Sequence, residues 1–143
     1  MNTDHVCIAV RSLEAAGDRL CRLLDYRPAT QPVVNAAHQV VVQFLHKPGS
    51  IDIKLIAPVD ERSPLIGFLR SKGEGLHHLA FKADDVMRAI ASLEERGARI
   101  TAAPAPGEAF DGGLIGFAYA GFGLNVEVID TDLRRSPCGE YGS

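Results

Sequence analysis

The feature that most restricts the fold of this chain is an internal repeat at a constant offset of 73 residues, with no gap. His5 falls on His78, Leu20 on Leu93 and Phe44 on Phe117. The run Ile51-Asp52-Ile53-Lys54-Leu55-Ile56 falls on Leu124-Asn125-Val126-Glu127-Val128-Ile129. Few paired residues are identical. The repeat is carried instead by apolar parity, helix positions and turns that keep one register. A duplicated unit calls for two copies of one supersecondary module packed against each other.

The first module, about 4–58, opens with the apolar run His5–Val10, of buried-strand type. Ser12 offers an N-cap, and Leu13, Ala16, Leu20 and Leu24 recur at helical spacing. Pro28 then drives the chain out of the helix. A weak strand around Arg27–Val34 precedes two stronger ones, Gln39–His46 and Ile51–Ile56, joined by the turn Lys47-Pro48-Gly49-Ser50. Ser63, Pro64 and Gly73 bracket a connector helix over about 63–72. The second module, about 76–131, repeats the order. Leu76–Ala83 is a strand, and Asp84 and Asp85 cap a helix that carries Val86, Ala89, Ile90 and Leu93 and ends at Gly97. Arg99–Ala102 is a weak strand; Leu114–Tyr119 and Leu124–Ile129 are strong ones. The expected fold is α+β, one domain over 1–131. Its two βαβββ modules in tandem form a curved, cup-shaped mixed sheet with helices on the convex side. Residues 132–143 are expected to be a flexible tail.

Composition narrows the partners. A chain of 143 residues with 46% hydrophobic content can bury a core without disulfides. A net charge of −3 leaves no basic footprint, so no nucleic acid is expected. Apolar runs such as Val40–Val42 are too short to span a membrane. Cys7, Cys21 and Cys138 are odd in number and unrelated in spacing, and Met1–His5 has no signal-peptide character. A reducing, cytoplasmic setting is expected.

Strand parity then groups the chemistry. On the first strand Val6, Ile8 and Val10 should pack under a helix, which leaves His5, Cys7 and Ala9 concave. His78, Ala80 and Lys82 take the same face in the second module. In the late strands Lys54 and Glu127 are concave. Two modules related by an approximate twofold thus bring His5, Lys54, His78 and Glu127 to equivalent places. A strand-end histidine is ordinarily a satisfied surface or core residue; the duplication is what singles these out. Two imidazoles and a carboxylate on one concave surface can hold a divalent cation. Cys7, two residues from His5, could serve as a soft ligand or as inert wall. His77, opposite in parity to His78, is expected to be structural, and His38 and His46 solvated.

The stretches Asp4–Glu14, Leu55–Pro58 with Ser63–Leu69, Gly73–Val86 and Leu124–Ile129 resemble the vicinal oxygen chelate superfamily, the glyoxalase, bleomycin-resistance and extradiol-dioxygenase group. Among its members the methylmalonyl-CoA epimerases are most similar. The resemblance implies paired βαβββ modules forming a cup, metal ligands His5, His78 and Glu127, and a divalent ion (Zn, Co, Ni, Mn or Fe). It also implies a small carbonyl or acyl-thioester substrate such as a CoA thioester, and a homodimer. Arg62, Lys72 and Lys82 are cations that such a carrier's phosphates could meet. Three positions depart from the epimerase pattern. Lys54 stands where a fourth ligand is usual, and its ammonium has no lone pair to give. Gln43 aligns with the proposed proton-abstracting carboxylate, and a neutral amide is no general base. Tyr119-Ala120-Gly121-Phe122 replaces a His-Pro-Lys turn. Three readings follow. One is a metal enzyme of carbonyl or enolate chemistry in which Glu127, Lys54 and Gln43 are the catalytic candidates, with two-histidine, one-carboxylate oxygenase chemistry as a variant. The second is a metal-free binding protein with a Lys54–Glu127 pair at its centre. The third is a metal-free enzyme that uses Lys54.

Overall fold

The computed structural model describes residues 1–107, 113–130 and 137–138. The first module runs β1 (Asn2–Ala9), α1 (Leu13–Leu24), β2 (Arg27–Pro28), β3 (Val33–Asn35), β4 (Val40–His46) and β5 (Asp52–Pro58). After α2 (Leu65–Lys72) comes the second: β6 (Gly75–Lys82), α3 (Val86–Glu95), β7 (Arg99–Pro106), β8 (Leu114–Gly121) and β9 (Leu124–Ile129). The strands form one open mixed sheet in the order β2-β4-β5-β1-β6-β9-β8-β7, with β3 also on β4. β1 pairs antiparallel with β6 at the centre, and each runs parallel to the last strand of its own module, β5 and β9. The duplication is therefore visible as a twofold relation about the β1–β6 seam.

Local signals set the helices. Ser12 accepts from Ala15 N at the start of α1, and Asp85 accepts from Arg88 N at the start of α3. α1 packs Leu13, Ala16 and Leu20 against Val6, Ile8, Ile53 and Leu55. α3 packs Val86, Ile90 and Leu93 against Val126 and Val128. These are the convex-face residues that parity assigns. The connector α2 lies on the other side: Leu65 and Leu69 share a cluster with the concave residues Cys7, Ala9, Val42 and Phe44. Two helices thus back the sheet and the third covers part of the cup. The weak strand of the first module is split into β2 and β3 across Pro32, because proline cannot donate to a ladder. Its counterpart β7 runs on to Pro106, with register shifts against β8.

The two modules fill the helix–sheet interface in opposite ways. In the first, helical Gly17 leaves room for sheet residue Gln43, whose Oε1 would lie 3.7 Å from a Cβ at Gly17. In the second, the equivalent helical residue is Ile90 and the equivalent sheet residue is Gly116, where a Cβ would meet Ile90 Cγ1 at 3.0 Å. Gly17→Ala is therefore expected to raise stability by about 0.5–1 kcal/mol, since an ordinary contact replaces helical glycine. Gly116→Ala should lower it by about 1–3 kcal/mol through overpacking. Urea unfolding of both variants tests this, and equal effects would contradict the packing described.

Of the segment expected as a flexible tail, only Pro137 and Cys138 are among the described residues. Pro137 bridges to Thr30, and Cys138 N donates to Ala29 O at 2.8 Å. The rest of 132–143 lies outside the described residues. No helix among the described residues is long and apolar enough to cross a membrane.

Candidate metal centre

The concave face of the central strands brings the predicted groups together. His5 and Glu127 are fully buried and His78 is 2% exposed. His5 Nε2 lies 3.3 Å from Glu127 Oε1, and His78 Nε2 lies 3.7 Å from Glu127 Oε2. Each of these histidines stands edge-on against the phenylalanine of its own module: His5 against Phe44 at 5.2 Å, His78 against Phe117 at 5.5 Å. The rings are thereby held in orientation, and the offset of 73 relates both pairs.

The arrangement fits a divalent cation. Around an ion with bonds of about 2.0–2.2 Å, ligand atoms stand roughly 3.0–3.6 Å apart, close to the spacings here. His78 Nε2 and both Glu127 carboxylate oxygens are buried without a hydrogen bond, which is costly unless a cation or proton satisfies them. His5 sharpens the point. Its Nδ1 lies 2.7 Å from Asp4 Oδ2. A carboxylate only accepts, so this nitrogen carries a hydrogen. The other ring nitrogen, Nε2, faces a carboxylate oxygen at 3.3 Å, a contact that a hydrogen on that nitrogen or a cation between the two atoms satisfies. The Asp4 contact is also the outer-shell support that metal-bound histidines use.

Lys54, the symmetry mate of Glu127, competes for the same place. It is buried, with Nζ 3.6 Å from Glu127 Oε2 and 5.9 Å from the centre of the Phe44 ring. Burial opposes ionisation of Glu127. Lys54 and then the two imidazoles outweigh it, holding the carboxyl well below the usual range. Burial pushes His78 down to about 4 despite Glu127, so it is neutral near pH 7, as a ligand must be.

Lys54, His78 and Glu127 of the cluster line a cavity of about 280 Å³, with His5 buried behind them. Val42, Ile56, Leu65, Phe68, Ile115 and Phe117 supply apolar walls, and Lys54, His77, His78 and Glu127 the polar end. His38, expected to be solvated, is exposed where it lines this cavity, and His46 is paired with Asp52 at 2.7 Å. Cys7 forms a second cluster with His77 and His78, ligand atoms within 4.8 Å of one another. Burial pushes its thiol up to about 12, so it stays protonated as inert wall.

Two sequence readings are corrected. Gln43, a catalytic candidate, is not in the cup: it lies on the α1 side with Val41 and Leu45, and its amide donates to Thr30 O at 3.1 Å. The concave residues of β4 are Val40, Val42 and Phe44, so this strand brings no proton acceptor to the cavity. His77, expected to be structural, lines the cavity beside His78. A bulge is responsible: Cys7 faces His78 and Ile8 faces Leu76, so His77 is stepped over and swings to its neighbour's side. Simple alternation cannot reveal that.

Fold and site together define a class: a paired-βαβββ protein with two histidines and a carboxylate at the seam of its modules. The chain belongs to the Glyoxalase/Bleomycin resistance protein/Dioxygenase superfamily, whose model matches residues 4–119. It is similar to the ethylmalonyl-CoA/methylmalonyl-CoA epimerase of Cereibacter sphaeroides, 35% identical over 104 residues, 72% of this chain and 76% of the relative. The methylmalonyl-CoA epimerase of Mycobacterium tuberculosis superposes with a TM-score of 0.78 at 28% identity, covering 90% of this chain and 87% of that one. A hypothetical protein of Bacillus halodurans does so with 0.81 at 26% identity, covering 91% and 94%.

Proposed function

We propose that this chain is a metal-dependent, cytoplasmic enzyme of carbonyl and enolate chemistry acting on the acyl end of a CoA thioester, with the cation held by His5, His78 and Glu127. The observation that carries the reading is the buried meeting of these three side chains, with His78 Nε2 and both Glu127 oxygens lacking a hydrogen bond, beside a cavity that His78 and Glu127 line. The two epimerases named above act on CoA thioesters, and a cavity of about 280 Å³ suits an acyl head with the carrier left outside. Lys72, set over the ring of cavity residue Phe68 at 5.6 Å, is placed to meet part of such a carrier. Exposed edges at β7 and β2 leave room for the homodimer this reading includes.

A bound divalent ion supplies Lewis-acid polarisation of the substrate's carbonyl oxygen. The chain supplies the rest. Apolar walls from β4, β5, β8 and α2 exclude water from the acyl group. Glu127 sets the local charge, and Lys54 Nζ beside it, as the free amine, takes a proton from the α-carbon and, as the ammonium so formed, returns it. β4 contributes no carboxylate base, so efficient interconversion of methylmalonyl-CoA epimers is not expected.

The test is deuterium uptake at the α-carbon of propionyl-CoA and methylmalonyl-CoA in heavy water, with Zn²⁺, Co²⁺ or Mn²⁺ present. Uptake only with metal is expected. Lys54→Met should bind the ion about tenfold more tightly or better, because a positive charge beside it is removed, yet lose uptake about a hundredfold or more. No uptake with any ion would overturn the enolate reading.

The Lys54–Glu127 contact of 3.6 Å favours a second reading, a metal-free cup for a small ligand. Under it Lys54→Met loses ligand binding and gains no affinity for metal. The same ligand triad serves iron(II) oxygenases, so catechols with Fe²⁺ belong in the substrate panel.

A further inference from the structure

Each ligand histidine is preceded by a residue that its strand displaces toward it. In the β1–β6 pairing Thr3 faces Phe81 and His5 faces Ala80, so Asp4 is stepped over, as His77 is on the other strand. Asp4 and His77 are themselves equivalent at the offset of 73. Asp4 Oδ2 lies 2.7 Å from His5 Nδ1, and His77 Nδ1 lies 2.8 Å from His78 Nδ1. The two contacts sit at equivalent places and differ in chemistry. A carboxylate can only accept, which fixes His5 permanently. Between two imidazole nitrogens one must donate and either can, because facing lone pairs at 2.8 Å repel.

We infer that occupation of His78 Nε2 by a metal ion sets the tautomer of His77 and turns His77 Nε2 into an N–H donor. This rests on His5, His78 and Glu127 being a metal centre. In metal-free protein His78 Nε2, 3.7 Å from Glu127 Oε2, keeps its hydrogen, since a lone pair facing a carboxylate is unfavourable. His78 Nδ1 then accepts from His77 Nδ1–H, and His77 Nε2 bears a lone pair. A cation requires the lone pair of His78 Nε2. That nitrogen releases its proton, the proton between the rings passes from His77 Nδ1 to His78 Nδ1, and His77 Nε2 takes one up. One proton leaves the pair and one enters, so both rings stay neutral.

Burial favours the neutral form of both rings, and Lys54 adds to this for His77. Nε2 is the one remaining polar atom of the His77 side chain, whose ring lines the cavity 4.8 Å from Phe68. The loaded protein therefore meets a carbonyl or enolate oxygen with a neutral N–H, and the metal-free protein meets it with a lone pair. Metal and oxygen ligand become positively coupled through His77, a positioning residue.

The experiment is long-range ¹H–¹⁵N spectroscopy of ¹⁵N-histidine protein with and without one equivalent of Zn²⁺. His77 is expected to change from Nδ1–H to Nε2–H as His78 Nε2 shifts to a metal-bound position. His77→Phe should weaken Zn²⁺ binding about 10- to 100-fold, and His77→Asn, whose amide oxygen can accept from His78 Nδ1–H, should restore most of it. One tautomer of His77 in both states, with His78 Nε2 metal-bound, overturns the coupling alone. Zn²⁺ that leaves His78 Nε2 unshifted overturns both the coupling and the metal centre.

Discussion

Glu127→Leu is expected to lower the stability of the metal-free protein by about 3 kcal/mol, the lower end of what breaking a buried ion pair costs. The carboxyl is held far below its ordinary range although burial opposes its charge, so its surroundings stabilise that charge by more than burial penalises it. Removing it leaves the ammonium of Lys54, 7% exposed, without that anion. The lower end applies because Lys54 lines the cavity and can draw in water. In the double variant Lys54→Met/Glu127→Leu two apolar side chains replace the pair. Its stability should return to within about 1 kcal/mol of the parent, or exceed it. Urea midpoints of the single and double variants check this. A single variant as stable as the parent would mean that the pair contributes nothing to the metal-free fold.

The second large effect concerns the ion itself. His5→Ala and His78→Ala should each reduce Zn²⁺ affinity by about a hundredfold or more. Protein zinc sites bind with about 10–16 kcal/mol spread over four ligands, so one ligand is worth roughly 3 kcal/mol. The two losses should be of similar size, because both rings point Nε2 at Glu127, stand against equivalent phenylalanines and bond through Nδ1 to the preceding residue. Competition with a chromophoric chelator reads out both. A loss at one histidine and none at the other would mean the ion is bound elsewhere.

Much of this centre is readable in the sequence, for a definite reason. An offset held over a whole module converts side-chain alternation into three-dimensional statements. It places His5, Lys54, His78 and Glu127 on one face without knowledge of any contact. What defeats the same logic is local irregularity. Parity put His77 behind the sheet, and a one-residue bulge moved it into the cavity. The resemblance to the epimerases makes Gln43 a catalytic candidate, although one position along β4 changes the face. The space beneath helical Gly17 is what receives it. Ser63, Pro64 and Gly73 predict the connector helix. Its place inside the cup depends on Leu65 and Leu69 meeting Val42 and Phe44, a tertiary contact that no local pattern carries.

The most direct measurement of the central claim is the metal content of protein purified without a histidine tag, by elemental mass spectrometry, before and after dialysis against Zn²⁺, Mn²⁺, Fe²⁺, Co²⁺ and Ni²⁺, with His78→Ala alongside. About one equivalent of a divalent metal in the parent, and none in the variant, is the predicted result. A parent that holds no ion after every dialysis would contradict the metal centre and leave the Lys54–Glu127 pair as the heart of the cup.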